Sequence, residues 1–427
     1  MKRLLIAILL SSLLISCAND DDLILVSVCE TPLDIKIESI TDTSALISWT
    51  NNNTSSWTGN TLNSEIVVEF GPSGFQPGSG VSIPTMSNSL MLQNLSPTTS
   101  YDFYVTAVCS VNNVSITSNT NSFSTDYPSV VSEFLPTLSE LNLFEGDIVD
   151  LNLSPKVFKY DLHTELFTDY AHKLRTIALP QGKALRYQDD GFPIFPTGTV
   201  ISKTFYYNLD ETNPNSERHI IETRVLIKRA SEWEIGNYVW NEEMTEAFLD
   251  GDQHDVKVDY KDENGALQSV DYVVPGSFDC TKCHSNSGNV TPIGPKLRTM
   301  NFEANGVNQL QKFIDAGHLI NAPQPDAIAT IPDWEDDVNY TLEERARAYL
   351  DVNCAHCHEP GGYCIDQSTL DLRFETSLED SNIYIRRFSI GTRMSFYSPG
   401  SSMPFVGTTM VHTEGYQLIQ EYLDSLD

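Results

Sequence analysis

The stretch Thr341-Leu342-Glu343-Glu344-Arg345-Ala346-Arg347-Ala348-Tyr349-Leu350-Asp351-Val352-Asn353-Cys354-Ala355-His356-Cys357-His358 decides how the chain is read. It closes on two thiols three positions apart, Cys354 and Cys357, followed at once by the imidazole of His358. That spacing is the c-type haem attachment signature. Thiols near one helical turn apart can form thioethers to the two haem vinyl groups, and the following imidazole is then positioned to ligate the iron. The stretch also reads as a helix. Thr341 is a natural N-cap, and Glu344 completes a capping box. Leu342, Ala346, Tyr349, Leu350 and Cys354 recur at roughly helical spacing. A second copy of the motif, Cys280-Thr281-Lys282-Cys283-His284, stands upstream. The repetition of the whole motif predicts two haem c groups, held by Cys280, Cys283 and His284 and by Cys354, Cys357 and His358.

Size and charge bound the rest. A length of 427 residues suggests about three domains at roughly 150 residues each. Asp and Glu number 58 against 26 Lys and Arg, giving a formal net charge of −32. That balance excludes nucleic acid as a partner, because phosphates need a basic face. It predicts a well-solvated surface and, functionally, the docking of a basic redox partner. The eight cysteines sort by position: Cys17 in a leader, Cys29 and Cys109 in the first domain, four in the motifs, and Cys364 left over as a free thiol.

The N-terminus reads as an export signal. Lys2 and Arg3 precede Leu4 to Ile15, which is almost wholly apolar but too short to span a bilayer as a helix. Residues 1–16 are thus a signal peptide. Leu14-Ile15-Ser16-Cys17 resembles the lipobox of bacterial lipoproteins, which implies a lipidated Cys17 and a membrane anchor. Residues 17–28 form an acidic tether, whose Asp20-Asp21-Asp22 resembles the surface-export signal of Bacteroidetes lipoproteins. The resemblance implies an outer-membrane lipoprotein at the cell surface or periplasmic face. Export agrees with haem attachment outside the cytoplasm and with persistent disulfides.

Residues 29–126 alternate short apolar strands with Gly, Pro, Asn and Ser clusters. Ser44-Ala45-Leu46-Ile47-Ser48-Trp49, Leu95-Ser96-Pro97-Thr98-Thr99-Ser100-Tyr101 and Phe123-Ser124-Thr125 resemble a fibronectin type III domain. The resemblance implies Trp49 in the core and Tyr101 as a tyrosine corner. Cys29 and Cys109 are placed to bridge the start of the module to a late strand. Residues 127–140, with Pro128 and Pro136, read as a linker. Residues 141–275 read as mostly β. Val200–Tyr207 and Ile220–Ile227 look like neighbouring strands, Glu222 and Arg224 share a face, and Asp262-Glu263-Asn264-Gly265 reads as a hairpin turn. The acidic run Asp250–Asp255 lacks the EF-hand spacing.

Residues 276–427 carry the chemistry, with the first haem at 276–340 and the second at 341–427. Val307, Leu310, Phe313 and Ile314 mark a helix that Gly317 ends. Tyr416, Ile419, Leu423 and Leu426 mark a terminal helix. The order of haem-motif helix, Met403-Pro404 loop and closing helix resembles class I cytochromes c, which implies Met403 as sixth ligand of the second iron. Met394 and Met410 are its rivals. For the first iron, Met300 and His318 are candidates, beside an open position. Zinc on the two Cys pairs is the competing chemistry. The adjacent histidines and the wide separation of the pairs in sequence favour haem.

Residues from about 150 to 427 resemble a family of exported dihaem c-type cytochromes. The carriers include Leu166-Phe167-Thr168-Asp169-Tyr170-Ala171-His172-Lys173, Phe195-Pro196-Thr197-Gly198-Thr199-Val200, Tyr238-Val239-Trp240-Asn241 and Arg345–Cys354. The resemblance implies covalent haem and electron transfer. The expected architecture is therefore multidomain: an all-β fibronectin type III sandwich, a mostly-β middle domain and an α-helical cytochrome c-like C-terminal domain. The leading functional expectation is a lipid-anchored electron carrier serving an exported dehydrogenase, without substrate turnover of its own. The alternatives are a peroxidase-like enzyme with an open first haem, and a surface binding protein using the fibronectin-like and β modules. No nucleophile elbow, phosphate loop or HExxH motif supports a hydrolase.

Overall fold

The computed structural model describes residues 28–57, 60–304 and 306–426. The signal peptide, Cys17 and nearly all of the acidic tether lie outside them. The chain divides into two compact units, one ending at Asp126 and one spanning Tyr127–Asp427.

The first unit is a β-sandwich. One sheet orders the strands Leu33–Ile40, Ala45–Thr50 and Ser89–Leu92. The other orders Asn121–Ser124, Ser100–Ser110, Glu65–Pro72 and Val81–Thr85. Period-two alternation sends Ala45, Ile47 and Trp49 from one sheet, and Ile66, Val68, Phe103 and Val105 from the other, into a shared core. Tyr101 is buried, and its hydroxyl accepts a hydrogen bond from the Ser96 N–H at 2.9 Å. Cys29 and Cys109 are disulfide-bonded, with Cα atoms 5.9 Å apart. The core tryptophan, the tyrosine corner and the bridge thus stand where the sequence predicts them.

The second unit is built on a six-stranded antiparallel sheet. Its order is Val157–Lys159, His172–Ala178, Val200–Asn208, Arg218–Lys228, Trp233–Trp240 and Ala247–Leu249. One face presents Ala178, Val200, Val225, Ile227 and Tyr238. Residues 127–140, expected as a linker, lie against this face: Leu138 is fully buried there, and Val130, Val131, Phe134 and Leu135 pack beside it. Their apolar residues outweigh the prolines that suggested a tether.

The other face has two apolar patches. Ile177, Ile201 and Leu226 pack with Leu297, Met300, Leu310 and Phe313. Phe205, Tyr207 and Ile221 pack with Val258, Tyr260 and Tyr272 of the hairpin His254–Val274, whose turn lies at Asp262–Gly265 as expected. The sequence suggests a division near residue 275. Instead the segment after it docks on this face, through α1 (Ser277–Cys283), α2 (Leu297–Met300) and α3 (Gln309–Asp315). Met300 ends α2. The molecule is mostly β, with its longer helices near the C-terminus.

Those are α4 (Leu342–Leu350), α6 (Ile383–Met394) and α7 (Thr413–Asp424), with the short α5 (Leu378–Ser381) between. The Thr341 capping box forms: its hydroxyl accepts from the Glu344 N–H at 3.3 Å, and the Glu344 carboxylate accepts from the Thr341 N–H at 2.8 Å. Ala346, Tyr349 and Leu350 of α4 pack with Ile383 and Ile390 of α6 and with Leu418, Ile419 and Tyr422 of α7. Gly415 allows the close approach, since a Cβ there would overlap the Tyr349 ring.

Candidate functional site

The first motif starts from the sheet. Ser277 N–H donates to the Gly251 carbonyl at 2.9 Å, and α1 then places Cys280 and Cys283 one turn apart. His284 caps that helix, its N–H donating to the Cys280 carbonyl at 2.9 Å. The short ladder of Ser285–Asn286 with Asn289–Val290 turns the chain back. It sets the Thr291 carbonyl 2.8 Å from His284 Nδ1. A carbonyl only accepts, so Nδ1 carries the proton and Nε2 is the basic nitrogen.

The second motif leaves α4 through one widened π turn, Asp351–Ala355. His358 N–H donates to the Cys354 carbonyl at 3.0 Å, repeating the geometry of the first motif. His358 Nδ1 and His356 Nδ1 are buried without a hydrogen-bond partner. Burial lowers both His284 and His358 to about 4, so both rings are neutral, the form that binds a metal.

The fold brings the motifs together. Ser287 N–H donates to the Gly361 carbonyl at 2.8 Å, and Asn286 Nδ2 donates to Glu359 at 2.9 Å. Gly361 has φ +82°, and a Cβ there would run into Ser287 and Asn286. Cys283 Sγ, a ring nitrogen of His356 and Cys357 Sγ all lie within 4.8 Å of one another. Cys364 is a free thiol, as expected, and is in hydrogen-bond reach of Cys357. The hydrogen bond from Cys357, with His356 beside it, holds Cys283 well below the usual thiol range, while burial pushes Cys354 up to about 12.

Two chambers open here. The larger, about 500 Å³, is lined by Cys354, Cys357, His358, Met394, Met403 and Tyr349 among others. The smaller, about 80 Å³, is lined by Cys280, His284, Lys203, Arg224 and Thr168 among others. Cys283, His356, Asn353, Pro404 and Val406 line both. Met403 and His358 thus share the larger chamber, together with the rival Met394. Met410 packs instead with the Phe205–Tyr272 cluster. Neither candidate for the first iron lines the chamber beside His284. Met300 is fully buried among Ile201, Leu226 and Phe313, and His318 stacks on Phe158 at 4.1 Å.

The floor of the smaller chamber is charged. Arg175 pairs across the sheet with Lys203, Lys203 with Arg224, and Arg224 with Asn237, in one row between the two apolar patches. Arg224 forms a bidentate pair with Glu222 at 3.0 and 2.5 Å, and Tyr272 donates to Glu222 at 2.6 Å. Arg175 reaches Glu165 at 2.9 Å. Burial, reinforced by Arg175 and Arg224, holds Lys203 well below the usual lysine range; burial lowers Lys173 to about 7. The sequence pattern assigns no role to His356 or Lys203. The signal for Lys203 is a cation between Ile201 and Phe205 on the core face of a strand.

The motif thiols, the neutral imidazoles and the larger chamber fit a haem held by Cys354, Cys357 and His358. At the first motif the donor set fits equally, but the free space beside it is far below the ~300 Å³ of a typical small-molecule pocket.

Among the described residues no helix is long and apolar enough to cross a membrane. No curated protein matches the chain. Solved structures similar to it include the fn3 domain of human contactin 1, at 16% identity over 25% of this chain and 84% of that one, TM-score 0.21. The FN5 domain of Drosophila Lar matches at 18% identity over 24% of this chain and 100% of that one, TM-score 0.19. A computer-redesigned β-sandwich protein matches at 25% identity over 22% of this chain and 94% of that one, TM-score 0.19. The family profile that matches is the fibronectin type III domain, over residues 30–122, so the first unit carries a fibronectin type III domain, a module suited to binding or presentation.

Proposed function

We propose that the chain is an exported, lipid-anchored dihaem c-type cytochrome that transfers electrons, with the fibronectin type III domain spacing its redox unit from the membrane. The observation that carries this reading is the meeting of two complete Cys-x-x-Cys-His motifs, with Cys283 and Cys357 side by side. Cys280, Cys283 and His284 would hold one haem, and Cys354, Cys357, His358 and Met403 the other. Haem iron supplies one-electron chemistry at a potential set by its axial ligands and burial. The protein's own part is to keep both imidazoles neutral, fix the His284 ring through Thr291 and exclude water with the α4–α7 core. Attachment points so close imply centres close enough to exchange electrons directly. A redox partner protein, such as an exported dehydrogenase, would supply them.

The test is spectroscopy on full-length protein matured in a haem-ligating periplasm. Low-spin spectra are expected, with a Met–iron charge-transfer band lost in Met403→Ala. A high-spin signal responsive to peroxide would redirect the first centre to enzymatic chemistry.

A second reading rests on the same cluster: Cys283, His356 and Cys357, with Cys364 as a fourth donor, form a set suited to zinc. Stoichiometric zinc and no haem absorbance in the matured protein would establish it in place of the first.

A further inference from the structure

The charged row beneath the first motif is short of negative charge. Lys173, Arg175, Lys203 and Arg224 sit together on the inner side of the sheet. Their carboxylate partners are Glu165, which serves Lys173 and Arg175, and Glu222, which serves Arg224. Asp169 accepts instead from the Thr409 N–H and hydroxyl, and Asp279, which also lines the chamber, pairs with Lys282. Among the described residues Lys203 Nζ has neither a hydrogen bond nor an ion pair; it lies over the Phe205 ring, 5.0 Å from its centroid, and Lys203 lines the smaller chamber. Arg224 uses Nε and Nη2 on Glu222 and lines the same chamber.

One buried group lining the chamber points to a missing partner, and one buried cation of the row, outside the chamber lining, is also short of acceptors. Thr168 is 3% exposed, lines the chamber and has an unpartnered hydroxyl. Arg175 is 1% exposed, and its Nε and Nη1 have no acceptor. Like charges directly opposite across strands destabilise a sheet, and buried cations without partners cost more still. A volume of about 80 Å³ suits a carboxylate or phosphate far better than a macrocycle.

We infer that this chamber is an oxyanion site, in which Lys203 and Arg224 bind a carboxylate- or phosphate-class group beside His284. The anion is a free small ion. Lys203 rather than Arg224 is the residue to change, because removing Arg224 would strand Glu222.

The test uses the full-length matured chain, with intact mass recording first how many haems it carries; failure of the cofactor reading is thereby seen separately. Thermal midpoints are then compared in acetate or phosphate against chloride at equal ionic strength, for wild type, Lys203→Met and Lys203→Arg. A saturable rise in wild type, weakened at least about tenfold in Lys203→Met and largely kept in Lys203→Arg, establishes a free oxyanion. No anion response in folded wild type, or a response unchanged in folded Lys203→Met, overturns the proposal.

Discussion

The two Cys-x-x-Cys-His motifs share spacing and local hydrogen bonding but sit in different settings. The second leaves a capped helix and opens on an apolar chamber of about 500 Å³ containing Met403. The first ends a helix that docks on the sheet and opens on about 80 Å³ floored by cations. Local geometry is set by residues within the motif, and the chemistry available to it by residues far away in sequence. The same imidazole therefore faces a soft thioether in one place and Lys203 and Arg224 in the other. Soft axial ligands raise a haem potential relative to harder ones, so haems held at the two motifs, as proposed, would differ in potential.

The largest expected effect separates the motifs by mass. Cys354→Ala with Cys357→Ala should remove one covalent haem and the Met–iron band together. Cys280→Ala with Cys283→Ala should remove one haem and leave that band. Loss of the band in both would show that the centres do not mature independently.

The next effects separate the two units. Reducing the Cys29–Cys109 bridge, which spans a sequence separation of 80, should cost the fibronectin unit about 4 kcal/mol. The fall in its unfolding midpoint should leave the visible spectrum unchanged. Gly415→Ala should act on the other unit, where a Cβ overlaps Tyr349, and cost about 1–3 kcal/mol in thermal unfolding while sparing the fibronectin unit.

The smallest effect is a pH dependence. All nine histidines lie beyond residue 126. Burial lowers His284, His358 and His412 from 6.5 to about 4. In this range the unfolded chain binds more protons than the folded one, so their neutral burial is fully compatible with folding above pH 6.5. Stability is lost as pH falls from 6.5 through 4. Protein without haem should show this as a falling midpoint for the second unit alone, measured by calorimetry across that range. An equal fall in the fibronectin unit would contradict it.

Much of this was legible in the chain because its signals are local. The Thr341–Glu344 capping box, the turn at Asp262–Gly265, Trp49 and Tyr101 in the sandwich, and the terminal helix all depend on residues a few positions apart. What was not legible depends on register and docking. Glu222 and Arg224 read as neighbours on one face of a strand, and there they form an ion pair with each other. That Arg224 stands beside Lys203, and Lys203 beside Arg175, requires the alignment of three strands. The wide separation of the Cys pairs weighed against a shared site, yet the Ser287–Gly361 contact closes that distance. The prolines of residues 127–140 suggested a linker, but Leu138 and its neighbours cover a sheet face.

The most direct test of the central reading is the intact mass of the full-length chain after maturation in a haem-ligating periplasm. The expected result is a mass increased by two covalent haems, each lost with its own cysteine pair. An unmodified polypeptide with all of its motif thiols free would contradict it.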